Sequence, residues 1–163
     1  MPDIESNRDV AQILDLCEQI ERCNADIYRV FANLFNSDPE MAQLWNKTAN
    51  EEENHALQFS LAKKLRNLKA VEDTTIDLTI AKNVLSFVKD LRTEFTGKDL
   101  SQIEAVLAAL ELEEKLAEFH ACSVAIFVDN SFKKLFTAML KADRQHIESI
   151  HKYHNRLMAN GGK

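Results

Sequence analysis

The sequence predicts an all-α protein: an antiparallel four-helix bundle made of two helical hairpins and a long, helical crossover between them. The 163 residues include only three glycines and two prolines, so little of the chain suits the tight turns between strands. Apolar residues recur at alternating spacings of three and four along four long segments, which is the period of amphipathic helices. An acidic-x-x-His motif in the second segment returns 91 residues later in the fourth, which indicates a duplicated hairpin.

Composition and charge limit the classes of protein and partner. Hydrophobic residues make up 45% of the chain and charged residues 28%, which is typical of a soluble globular protein. We treat residues 1–163 as one domain, with hairpin one at about 7–69, the crossover at about 70–98 and hairpin two at about 99–159. The net charge of −6 gives no electrostatic footprint for nucleic acid. With a polar N-terminus and no apolar run near the ~20 residues that span a bilayer, we expect a cytoplasmic protein without a membrane partner.

The first hairpin begins with a helix predicted from about residue 8 to residue 35. Two residues on its inward stripe, Glu21 and Asn24, are unusual for a core. Tyr28 is either a core tyrosine or a hydrogen-bond donor to a ligand carboxylate, since helical side chains lean toward the helix N-terminus. The full stripe is Val10, Leu14, Cys17, Glu21, Asn24, Tyr28, Phe31 and Phe35.

The second helix is predicted from residue 39 to about residue 68. Its stripe is Met41, Trp45, Thr48, Glu52, His55, Phe59, Ala62 and Leu65. Glu52 and His55 therefore lie in the middle of the apolar face, three residues apart, where a carboxylate and an imidazole can bind one metal ion. The neighbouring Glu51 and Glu53 project elsewhere, and we assign them to the solvated surface.

The crossover follows a polar break at residues 70–75. Residues 76–95 form a further amphipathic helix, with apolar residues at helical spacing: Ile80, Val84, Phe87, Val88 and Leu91. The exposed apolar side chains of this segment predict a homo-oligomer, either a dimer or a larger assembly. Capping boxes, Ser37 with Glu40 and Ser101 with Glu104, are predicted to begin the helices on either side of it.

The second hairpin combines a helix from about residue 102 to residue 128 with a last helix that ends at about residue 158. The two stripes are Val106, Leu110, Glu113, Ala117, His120, Val124 and Phe127, and then Phe132, Phe136, Met139, Asp143, His146, Ile150, Tyr153 and Leu157. Asp143 and His146 repeat the acidic-x-x-His motif. His151 and His154 flank the last stripe and are predicted to face solvent or an interface.

Each of the four bundle helices places one carboxylate in the middle of its apolar stripe, and the second and fourth of them add a histidine three residues later. A buried carboxylate without a cation is costly, and the stripes contain no lysine or arginine, which disfavours a purely structural polar layer. Divalent metal ions resolve the problem, because a Glu from two helices and Glu-x-x-His from the other two bind two metals in a bundle. The predicted metal ligands are Glu21, Glu52, His55, Glu113, Asp143 and His146.

Glu21 with Tyr28, followed by the run from Thr48 to Ala56, resembles the first half of a rubrerythrin-type ferritin-like di-iron domain. The second half is similar, with Glu113 and Asp143-x-x-His146, whereas the Cys-x-x-Cys pairs of a rubredoxin domain are absent. The resemblance covers nearly the whole chain and implies a ferritin-like bundle around two iron ions. By this resemblance, Glu52 and Asp143 would bridge the two irons. Glu21 and Glu113 would be terminal ligands, and His55 and His146 would each bind one iron.

Three positions depart from the rubrerythrin pattern. Asp143 stands where the family has Glu, which is one methylene longer. His120 replaces the tyrosine of the second half and is expected either to hydrogen-bond a ligand or to act as an extra ligand. Leu116 stands where rubrerythrins carry another carboxylate.

The function that the resemblance implies is reduction of peroxide or dioxygen at the two irons, with electrons from a separate donor such as a rubredoxin-like protein. The same ligands could hold two manganese ions, a mixed pair or zinc. Two alternatives stay open: a ferroxidase or iron carrier for which iron is the substrate, and a bundle that binds metal only for stability or serves as an interaction module.

Overall fold

The structure, a computed structural model, describes residues 4–66, 78–127 and 129–161. These ranges form five helices and contain no strand: α1 (Ile4–Leu34), α2 (Pro39–Arg66), α3 (Thr79–Phe95), α4 (Gln102–Ile126) and α5 (Asn130–Ala159). The predicted all-α class is confirmed. In the described ranges, no helix combines the length and the apolar character needed to cross a membrane.

The helices pack as a helical bundle. α1 lies against α2, α4 lies against α5, and α3 contacts α1 and, less extensively, α4. Some helix ends differ from the predicted ones by a few residues. α1 begins at Ile4 rather than at about residue 8, and α4 ends at Ile126 rather than at about residue 128, because the backbone at Phe127 is extended. The predicted polar break at 70–75, the last residues of the second predicted helix and the first of the third lie outside the described residues.

One of the two predicted capping boxes is correct. The Ser101 side chain accepts a hydrogen bond from the Glu104 backbone, and the Glu104 side chain accepts one from the Ser101 backbone. The box predicted at Ser37 is wrong, because Asp38 caps α2 by accepting hydrogen bonds from the backbones of Glu40 and Met41. Proline occupies the first position of α2, so the residue directly before it becomes the cap.

The stripes of the long helices form the core. The largest fully buried side chains include Trp45, Tyr28, Phe31, Phe59, Phe127 and Phe136. The predicted stripe of α3 is partly wrong, because Ile80 is 46% exposed whereas Ala81 and Leu85 are buried. The inward face of α3 is therefore rotated relative to the sequence pattern, since its position against α1 and α4 decides which side is covered.

Candidate metal centre

The six predicted metal ligands are all buried, on four different helices. Glu21 on α1, Glu52 on α2, Glu113 on α4 and Asp143 on α5 are 0% exposed, and the two histidines of the acidic-x-x-His motifs, His55 and His146, are 8% and 5% exposed. His151 is exposed, as predicted, and His154 is half-buried. The helical period thus brings four carboxylates and two imidazoles into the core, where charged groups seldom lie without partners.

Glu52 lies between the two histidines and belongs to two groups of candidate ligands. The first group is Glu21, Glu52 and His55, and the second is Glu52, Glu113 and His146; within each, the ligand atoms lie within 4.8 Å of one another. The Oε2 atom of Glu52 is 2.8 Å from Nδ1 of His55. The Oε1 atom of Glu52 is 3.3 Å from Nδ1 of His146. One carboxylate therefore offers a different oxygen to each group.

Tyr28 settles the orientation of Glu113. Its hydroxyl donates a hydrogen bond to Oε1 of Glu113, which leaves Oε2 of Glu113 facing Nδ1 of His146 at 3.3 Å. The Tyr28 ring stacks on Trp45, with centroids 5.5 Å apart and planes 9° apart. Both sequence-based interpretations hold, because Tyr28 is a fully buried core residue and also donates a hydrogen bond to the carboxylate of a candidate ligand.

His120 lies between the carboxylates of Asp143 and Glu21. Its Nδ1 atom is 2.6 Å from Oδ2 of Asp143, and its Nε2 atom is 3.3 Å from Oε1 of Glu21. Asp143 belongs to neither group of candidate ligands within the described residues. Bridging of two metals by Asp143 stays a prediction. In the structure, His120 is the hydrogen-bonding partner of the Asp143 carboxylate.

Two further residues contact the candidate ligands, although the sequence-based prediction did not assign them to the centre. The Asn24 amide donates a hydrogen bond to Oε1 of Glu52 at 2.8 Å, and its unusual place on the α1 stripe was the available signal. Oε2 of Glu51 lies 2.7 Å from Nε2 of His146. The assignment of Glu51 to the solvated surface is therefore only partly right. Its side chain is 39% exposed, but its carboxylate contacts His146 of the candidate metal centre. No pattern within α2 indicates that contact, because it depends on α5.

Burial raises the pKa of three carboxylates of the centre. Burial, with the nearby Glu52 carboxylate, raises the pKa of Glu21 to about 7. Burial and the Glu113 carboxylate likewise raise the pKa of Glu52 to about 7. The pKa of Asp143 rises to about 6 through burial, against the lowering effect of His120. Near neutral pH, Glu21 and Glu52, each with a pKa of about 7, are therefore partly protonated in the metal-free centre, whereas Asp143, with a pKa of about 6, is mostly ionised.

The histidines of the centre differ in their protonation. Burial alone would lower the pKa of His120, but the adjacent carboxylates of Asp143 and Glu21 outweigh it and raise the pKa to about 10. Glu113 and Glu52 raise the pKa of His146 to about 12 against the same effect of burial. At His55, burial dominates and lowers the pKa. Two imidazolium charges thus partly balance the carboxylates.

The donor set fits divalent metal ions. Among the described residues, no hydrogen bond reaches the buried Oδ1 of Asp143 or either buried oxygen of Glu21, although Nε2 of His120 lies 3.3 Å from Oε1 of Glu21. Leaving such atoms without a partner is costly, and a cation removes that cost. Carboxylate oxygens with imidazole nitrogens suit iron, manganese and zinc. These buried Glu and His groups could therefore hold metal ions.

Comparisons of the chain with known proteins found no match: no family model, no curated protein and no solved structure matches it.

Proposed function

We propose that this chain is a rubrerythrin-like di-iron carboxylate protein with a ferritin-like, antiparallel four-helix topology. It would reduce peroxide or dioxygen with electrons from a separate partner protein. The observation that carries the proposal is the position of Glu52, whose two oxygens face His55 and His146. A carboxylate so placed is the ligand that two neighbouring metal ions would share, and the sequence resemblance supports iron as the metal.

Six side chains would hold the two ions. Glu21, Glu52 and His55 would bind the first, and Glu52, Glu113 and His146 the second, with Asp143 as a proposed further bridge. Bound there, two iron ions would supply the redox chemistry for reducing peroxide or dioxygen. The protein's own part is to fix these ligands: Tyr28 holds Glu113 by its hydroxyl, and Asn24 holds Glu52 by its amide.

The surrounding residues also control water and protons. The carboxylates are fully buried, and His55 and His146 are the ligands that retain slight exposure, so a small oxidant would arrive on their side. Reduction of hydrogen peroxide to two water molecules consumes two protons and two electrons. His120 holds a proton against Asp143, and the Tyr28 hydroxyl holds another against Glu113, which supports both as proton-holding groups at the centre.

The electrons would come from another protein. The three cysteines have no Cys-x-x-Cys spacing, so the described chain supplies no pair of the rubredoxin type. A rubredoxin-like donor is the partner that the resemblance favours. Its docking would bring electrons to the bundle surface, from which they pass to the buried centre.

Metal content and peroxide consumption test the proposal together. The wild-type protein, loaded with iron without oxygen, should hold two irons per chain and consume peroxide when a reduced donor is present. Glu52→Ala and His55→Ala should each lose the metals and the activity, whereas His151→Ala, at an exposed position on α5, should keep both. Full metal content in Glu52→Ala would contradict the shared-ligand assignment.

The same experiment separates the alternatives. Repeated oxidation of added Fe²⁺ without donor-dependent peroxide consumption would support a ferroxidase or iron carrier. Two bound metals with neither activity would support a bundle that uses metal for stability alone. A chain that binds no metal would contradict every version of the proposal.

A further inference from the structure

Glu51 connects the buried centre to the protein surface. It directly precedes Glu52 on α2, its side chain is 39% exposed, and its Oε2 atom lies 2.7 Å from Nε2 of His146 on α5. The nearest cation on its own helix, Lys47, is more distant, with Nζ 3.9 Å from Oε1 of Glu51. The closer contact of this carboxylate is therefore with the histidine.

The two ring nitrogens of His146 face different partners. Nδ1 faces inward, 3.3 Å from Oε1 of Glu52 and 3.3 Å from Oε2 of Glu113. Nε2 faces outward to Glu51. A histidine that binds a metal through one nitrogen commonly donates its other N–H to a carboxylate, which fixes the ring orientation and raises its basicity as a ligand. Glu51 is in the place where such a carboxylate belongs.

We propose that Glu51 is a positioning residue for the second metal site, the one formed by Glu52, Glu113 and His146. It accepts the Nε2–H of His146 and so holds Nδ1 toward the other two ligands. This inference rests on the proposed metal centre and adds a residue to it. Glu51 contributes to one metal and not to the other, so it makes the two sites unequal.

The internal repeat explains why the first site lacks the same support. An offset of 91 residues relates His55 to His146 and Glu51 to Ala142. Ala142 has no carboxylate to offer to the outer nitrogen of His55. The duplicated hairpin thus carries the acidic-x-x-His motif twice but the outer carboxylate once, and the metal bound by His55 does without it.

The alternative is that Glu51 only forms an ion pair with His146. An ion pair would stabilise the protonated form of His146, which competes with metal, so its loss would leave the affinity of the His146 site unchanged or raise it. Glu53 provides a matched control, because it flanks Glu52 on the other side, is 50% exposed and pairs with Arg29 at 3.1 Å. Removing Glu53 removes the same charge from the same helix without touching His146.

Zn²⁺ titration of the full chain tests the inference, with wild type, Glu51→Ala, Glu51→Gln and Glu53→Ala compared. Zn²⁺ is diamagnetic, so ¹⁵N spectra of the histidine side chains show which ring each equivalent reaches. In Glu51→Ala, affinity at the His146 site should fall about 10- to 100-fold, with the His55 site unchanged. Glu51→Gln keeps a neutral hydrogen-bond acceptor, so its Zn²⁺ affinity at the His146 site should lie between those of wild type and Glu51→Ala. Glu53→Ala should match wild type.

The histidine spectra supply a second readout. The Nε2–H signal of His146 in the Zn²⁺-bound wild type should report a strong hydrogen bond, weaker in Glu51→Gln and absent in Glu51→Ala. Two zinc ions bound equally well by wild type, Glu51→Ala and Glu53→Ala would overturn the role of Glu51 while leaving the metal centre intact. A wild-type chain that binds no zinc would overturn both the centre and this inference.

Discussion

Replacing Glu21 by Gln should stabilise the metal-free protein at alkaline pH and have much less effect at acid pH. Glu21 is 0% exposed, and among the described residues neither of its oxygens accepts a hydrogen bond. Nε2 of His120 lies 3.3 Å from Oε1 of Glu21, but it does not offset the cost of burial, because the pKa of Glu21 is still raised. The ionised carboxylate of Glu21 therefore destabilises the metal-free fold. Gln has nearly the same shape and cannot ionise, so the substitution isolates the electrostatic cost.

The pKa of Glu21 gives the sign and the size of the effect. Its pKa is raised from 4.5 to about 7 on folding, so the folded state holds the proton more tightly than the unfolded state. The stabilising contribution of Glu21 is therefore complete below pH 4.5 and is lost as the pH rises through 7. Between pH 5 and pH 8, wild type should lose about 2.5 kcal/mol relative to Glu21→Gln, since each pKa unit is worth about 1.4 kcal/mol.

Urea unfolding of the metal-free proteins at pH 5 and pH 8 measures this difference directly. About 2.5 kcal/mol corresponds to a shift of about 5–10 °C in Tm for a chain of this size, so thermal unfolding provides a second measurement. Glu111→Gln, at an exposed position on α4, is the control and should show no comparable dependence on pH. With the metal restored, the order should reverse, because wild type gains the binding energy of the metal and Glu21→Gln loses a ligand.

A constant difference between wild type and Glu21→Gln from pH 5 to pH 8 would refute the reasoning. So would a difference that grows toward acid pH, because it would show that the folded state prefers the ionised carboxylate. The cost of burying an amide without full hydrogen bonding is about 1–3 kcal/mol, but it is the same at both pH values and cancels.

Three further outcomes are expected. Asp143→Glu lengthens a carboxylate that contacts His120 and should tighten metal binding at the site that includes His146 in a metal titration of the apo-protein; two equal sites unchanged by the substitution would contradict this. Ser101→Ala should cost about 1 kcal/mol in chemical denaturation, because it removes the cap of α4. The exposed apolar side chains, among them Leu57, Leu61 and Ile80, lead us to expect a homo-oligomer in sedimentation experiments, and a strict monomer at high concentration would exclude it.

The helical stripes could be predicted because their period is a property of the chain itself. An α-helix repeats every 3.6 residues, so a residue on the apolar stripe is carried inward wherever the helix packs. That argument placed Glu21, Glu52, Glu113 and Asp143 inside, and all four are buried. It was less successful at Ile80, which lies on a helix covered on one side only, where the boundary of the buried face depends on neighbours.

The contacts between helices required the tertiary structure. Moving one residue along a helix turns the side chain by about 100° and shifts it by about 1.5 Å, so small changes in packing decide which atoms meet. The sequence places Asp143 on the inward stripe, but only the packing of α5 against α4 shows that its carboxylate meets His120. It places Glu51 beside the stripe, but only the approach of α5 brings His146 to it.

The sequence by itself determined an all-helical chain with a duplicated acidic-x-x-His motif and a core that contains carboxylates. The tertiary structure decided how those carboxylates are divided: Glu52 is shared between two groups, Glu113 is held by Tyr28, and Glu51 joins from the surface. The physical reason is that periodicity fixes a face within one helix, whereas each candidate metal site needs atoms from two or three helices within 4.8 Å of one another.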